Sequence, residues 1–118
     1  MMSLMRVAQL EATVLGAIDA ARSGHHEDDV FEFKRDWPGV DKARQLAASA
    51  NRARGETLIY VIGLDDAGTV MPAAEVDPAT WFAQLEARFD GPAPELLHHV
   101  RIEVSNAESV VALAFDTS

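Results

Sequence analysis

Residues 26–37 read HEDDVFEFKRDW and concentrate side chains that could do chemistry. The consecutive acids Glu27, Asp28 and Asp29 offer oxygen ligands to a metal ion, and the pair Lys34-Arg35 could meet phosphate. Between them, Val30-Phe31-Glu32-Phe33 alternates as a half-buried strand does, with Phe31 and Phe33 on one face and Val30, Glu32 and Lys34 on the other. Taken alone, the acids read most simply as a charged loop between a helix and a strand.

The basic residues continue beyond this stretch. Lys34, Arg35, Lys42, Arg44, Arg52 and Arg54 are six of the ten Lys and Arg, and only Asp36 and Asp41 accompany them in residues 34–54. That segment is therefore +4, and since the whole chain is -9 the remainder is -13. An evenly acidic surface repels phosphate, so the net charge argues against nucleic acid while its segregation argues for it. The default place for such bases is the solvated side of an amphipathic helix. Their concentration in an acidic body points to function.

Other residues carry less. Adjacent histidines in a strand point to opposite faces, so His25-His26 and His98-His99 read as incidental rather than metal-ligating. Asp65-Asp66 suits a turn, and Trp37 and Tyr60, although able to stack on bases, read as core.

A length of 118 residues makes one domain able to bury a core without staples. With no cysteine there is no disulfide framework and no thiolate metal site, which fits a reducing, cytoplasmic setting. No apolar run approaches a membrane span, so the reading is a soluble protein with no membrane partner. MMSL at residues 1–4 reads as an expression scar, leaving residues 5–118 as the domain. The final VVALAFDTS stops at a strand, as in a domain excised from a longer protein.

Periodicity supplies the elements that must position these residues. Val7, Leu10, Val14, Leu15, Ile18 and Ala21 predict a helix over 6–22, closed by Ser23-Gly24. A second helix, capped by Asp41, carries the small stripe Ala43, Leu46, Ala47 and Ala50, with Lys42, Gln45, Ser49 and Arg52 on its other face and Gly55 closing it. TLIYVIGL at 57–64 is apolar on both faces and so central, DDAG turns into a short strand at 69–71, and Asp77-Pro78 opens a third helix with Trp81, Phe82, Leu85 and Phe89 at core spacing. Strands at 98–104 and 109–115 form a hairpin, and the second, apolar on both faces from Val110 to Phe115, should be covered on both sides. The expected fold class is α+β, a mixed sheet of about five strands packed with three helices.

Three segments then stand in order: E27-x4-E32-F33-K34, A48-S49-A50-N51 near a helix end, and G55-x7-G63-L64-D65-D66 across the central strand. Together they resemble the Schlafen AlbA-type domain, a nucleic-acid-binding family found beside ATPase or winged-helix modules in bacterial proteins; the likeness covers about residues 6–72. In relatives that cut RNA, the resemblance implies a metal-binding carboxylate trio at the positions of Glu27, Glu32 and Asp66, serving Mg2+ or Mn2+, and these carboxylates should then converge. The chain departs from the family where a Gly pair follows the Asn, having Arg54-Gly55-Glu56, and where a later Gly is replaced by Met71-Pro72.

The resulting expectation is a DNA- or RNA-binding domain of a larger, transcription-regulatory or defence-related bacterial protein. Lys34, Arg35, Lys42, Arg44, Arg52 and Arg54 would touch phosphate in a weak, salt-sensitive complex. One alternative is a ribonuclease using Glu27, Glu32 and Asp66 with Mg2+ or Mn2+. The other is a non-catalytic interaction or homo-oligomerisation module.

Overall fold

Phe33 and Phe31 turn toward one face of the sheet and Val30 toward the other, the alternation a strand with two covered faces requires. The computed structural model describes residues 6–25 and 30–117. Its helices are α1 (Val7–Arg22), α2 (Ala43–Ala53) and α3 (Pro78–Glu86), and its strands are β1 (Phe31–Lys34), β2 (Leu58–Ile62), β3 (Glu95–Ser105) and β4 (Glu108–Asp116). The sheet runs β1-β2-β4-β3, with β1 and β2 parallel and the other pairs antiparallel. The class is α+β with a mixed sheet, as expected.

There are four strands among the described residues, one fewer than expected. Val70 makes only an isolated bridge to Leu64, and Pro72, which has no N–H to donate, follows too soon for a ladder to form. All five residues of β2 are buried, and β4 lies between β2 and β3, so both strands read as apolar on two faces are internal. The β3–β4 hairpin turns at Asn106-Ala107, where the Ser105 hydroxyl donates to Glu108 Oε1 at 2.6 Å.

Each face of the sheet has its own core. Leu10, Val14, Ile18 and Ala21 of α1 cover Phe33, Ile59, Val61, Ile102, Val110, Ala112 and Ala114. On the opposite face Ala43, Leu46 and Ala53 of α2, with Trp81 and Leu85 of α3, cover Leu58, Tyr60, Ile62, Leu113 and Phe115. Trp81 Nε1 donates to Pro38 O at 2.7 Å, and Trp37 meets Trp81 edge-on at 5.3 Å while donating to Ala74 O at 3.0 Å. Trp37 is therefore a packing residue.

Of the two helix starts expected to be capped by Asp, one differs and one is as expected. Asp41 does not cap α2: it sits in a 3-10 turn over Val40–Lys42, and α2 begins after Lys42 without a side-chain cap. Asp77 does cap α3, its Oδ2 accepting the Thr80 N–H at 3.1 Å and hydroxyl at 2.6 Å, with Pro78 next in the first turn. Those two hydrogen bonds, and secondarily His99, hold the Asp77 carboxyl below its usual range.

Candidate nucleic-acid interface

Parallel neighbours cannot be joined by a tight turn, so the chain returns from the end of β1 to the start of β2 through α2. The helix therefore runs back along β1, bringing its last turn beside the strand's beginning. Glu32, on the α2 side of β1, stands in register with Tyr60. Its Oε1 accepts the Ser49 hydroxyl at 3.0 Å and Arg52 Nη2 at 3.1 Å, and the same Arg52 nitrogen donates to Ser49 Oγ at 3.0 Å. Three side chains from β1 and α2 thus close one polar triangle.

Tyr60 lies beneath it. Burial, reinforced by the Glu32 charge and opposed by a hydrogen bond with Ser49 and the Arg52 charge, pushes its phenol up to about 12. Lys34 Nζ stands 5.7 Å from the centre of the Tyr60 ring, on the same side of β1 as Glu32. No buried side-chain nitrogen or oxygen among the described residues lacks a partner, so this network is satisfied as it stands.

Ser49 departs from the sequence reading, which put it on the outward face of α2. It is only 3% exposed. The signal was available: Leu46, Ser49, Ala50 and Ala53 follow the spacing of a buried helical stripe, and a serine there faces whatever polar group β1 presents. Arg52 was expected to be free for phosphate, yet it is engaged with Glu32 while keeping 52% of its side chain in solvent.

The remaining bases lie along the same crossover. Lys34 closes β1 and Arg35 follows it, Lys42 ends the 3-10 turn, Arg44 is in the first turn of α2 and Arg54 caps its end. Arg35, Lys42, Arg44 and Arg54 are exposed, and Lys34 is half-buried. Four of the six expected phosphate contacts gather where β1 ends and α2 begins. Arg52 and Arg54 mark the far end, roughly 16 Å away by the rise of an eleven-residue helix.

Arg54 carries a second surprise. Its φ of 53 and ψ of 47 place it in the left-handed region, and Gly55 follows at φ 86. The left-handed pair is thus Arg54-Gly55, and Glu56 needs no glycine conformation.

Of the carboxylates expected to converge, Glu32 and Asp66 lie in different surroundings. Glu27 lies outside the described residues. Glu32 is held by Ser49 and Arg52, whereas Asp66 is exposed in the turn 65–68 after β2. That turn is organised by Asp65 Oδ1, which accepts the N–H groups of Ala67 and Thr69, both at 2.9 Å. It docks on α1 through the bond from Arg22 Nε to Gly68 O at 2.7 Å, on the sheet face that α2 does not cover. No group of three His, Cys, Asp or Glu able to hold a metal ion occurs among the described residues.

No described helix is long and apolar enough to cross a membrane. Comparison with protein-family models, curated proteins and solved structures finds no match to this chain.

Proposed function

We propose that this chain binds nucleic acid, DNA or RNA, through the surface made by the end of β1 and the outward side of α2. The reading joins the Schlafen AlbA-type resemblance of residues 6–72 to one observation: the +4 segment of a -9 chain folds into a single strand-helix crossover with five of its six bases exposed. Lys34, Arg35, Lys42, Arg44 and Arg54 neutralise phosphates, and Arg52 joins them when it exchanges the Glu32 carboxylate for a phosphate oxygen. Such contacts position a backbone without reading bases, so binding is insensitive to sequence and weakens steeply with salt. A cytoplasmic setting and further domains in the same protein accompany this reading.

Cleavage assisted by Mg2+ or Mn2+ at Glu27, Glu32 and Asp66 asks more of the site, because Glu32 would have to surrender the Arg52 charge before a cation could approach it. Binding is the simpler function for this geometry. The test is a fluorescence-anisotropy titration of short single-stranded and duplex DNA and RNA at low salt, with and without Mn2+. Metal-independent binding of similar strength across sequences, with log K falling linearly in log salt, is expected. Failure to bind any of these at low salt would overturn the proposal.

A further inference from the structure

The opposite edge of the sheet has a different character. β1 is a four-residue edge, whereas β3 runs for eleven residues, contains no Lys or Pro, and pairs only with β4 among the described strands. Val100, Ile102 and Val104 of β3 pack toward the α1 core, while Arg101 and Glu103, in register with Val111 and Ser109, lie exposed on the other face. A long edge strand with no Pro can template another strand, and the charges it exposes decide which strand fits.

We propose that β3 pairs antiparallel with β3 of a second copy of this chain, about a two-fold axis through Ile102. Charge selects that register. A two-fold pairing matches residues whose numbers sum to a constant, and only even sums keep opposed side chains on one face. An axis at Arg101 sets arginine against arginine, and one at Glu103 sets glutamate against glutamate. An axis at Val100 leaves Arg101 facing His99 and Ile102 facing His98. With the axis at Ile102, Arg101 faces Glu103 of the second copy, the reciprocal pair repeats across the axis, and Val100 meets Val104.

Pairing with a second copy would exchange two exposed contacts of Arg101. Its Nη1 now donates back to Ser109 Oγ on β4 at 2.9 Å, and Nη2 has a loose 3.8 Å approach to the exposed Glu75. Irregularities in the β3–β4 register fall between Leu96 and His98 and between Glu103 and Ser105. They leave residues 98–103 as the regular stretch, so the ladder with a second copy is short and rests on the two Arg101–Glu103 pairs beside the axis.

The experiment is sedimentation velocity over a concentration series, without nucleic acid, on the parent chain and on Arg101→Glu and Glu103→Arg. Both residues are exposed, and circular dichroism confirms that each variant is folded. The parent should dimerise reversibly. Each variant places like charges opposite one another twice and should raise Kd by about tenfold or more. Mixing the two variants in equal amounts should restore dimer to near the parent level, because residue 101 of either variant then faces an opposite charge at residue 103 of the other. A parent that stays monomeric at its highest soluble concentration, variants that dimerise as the parent does, or a mixture that remains monomeric would each overturn the proposal.

Discussion

Arg52 Nη2 stands 3.1 Å from Glu32 Oε1, so a base counted as free for phosphate spends its charge on a carboxylate of the neighbouring strand. Arg52 keeps half its side chain in solvent, so the pair contributes on the order of 1 kcal/mol, little enough for a phosphate to compete. The link between α2 and β1 is therefore also a brake on the surface.

Glu32→Gln releases that brake. The amide still accepts from Ser49 but no longer holds a cation, so nucleic-acid binding should tighten and the salt slope of log K should steepen by about 0.9 for duplex DNA or about 0.7 for single strands. Arg52→Ala should weaken binding. Anisotropy titrations over a salt series decide it, and an unchanged slope in Glu32→Gln would show that Arg52 does not reach phosphate.

Arg54→Gly should stabilise the fold by about 1 kcal/mol, since a non-glycine residue in the left-handed region pays a steric cost that glycine does not. Arg54→Ala keeps that cost and should give no gain. Urea denaturation of the two variants separates backbone strain from charge. The same Arg54→Gly should weaken nucleic-acid binding by removing one phosphate contact, so stability and affinity move in opposite directions.

Tyr60 gives the chain an alkaline signature. Its phenol ionises at about 12 when folded against an ordinary 10.0. Between these values the unfolded chain loses the proton first, so stability is intact below pH 10 and falls as pH rises toward 12, by about 2 kcal/mol from this group. Tyr60→Phe should flatten that part of the stability profile, measured by denaturant midpoints against pH.

Gly68→Ala should be costly. The residue has φ +83, and an added Cβ would lie 2.7 Å from Arg22 Cγ and 3.1 Å from Ile18 O. Arg22 could shift but the α1 backbone cannot, so a loss of about 1–3 kcal/mol is expected in thermal or urea melts. The lost bond from Arg22 to Gly68 O should speed amide exchange across residues 65–70.

Much of this architecture was legible because burial leaves a periodic trace. The stripe from Leu10 to Ala21, the two-sided apolar runs of β2 and β4, and the Asp77-Pro78 helix start all follow from spacing and cap chemistry. What escaped were features decided by tertiary partners. Asp41 has the right side chain for a cap, yet the 3-10 turn moves the helix start past it. Val70 continues a strand pattern, but Pro72 leaves it one bridge. The engagement of Arg52 is a pairing with Glu32 twenty positions earlier, and no local pattern announces which carboxylate a base will meet. Legibility ended where side chains had to choose partners.

The position of β4 orders the assembly of the molecule. It is the last of the described strands, yet it separates β2 from β3 and supplies buried side chains to both faces. On a ribosome, β1 and β2 emerge with only each other to pair, and a two-stranded sheet is marginal in water. Neither hydrophobic layer can close until residues 108–116 clear the exit tunnel, so the cooperative step waits for the hairpin to deliver its second arm into a slot bordered by β2. Folding is governed by long-range closure that waits for the hairpin, and the apolar β2 lacks its second neighbour until then.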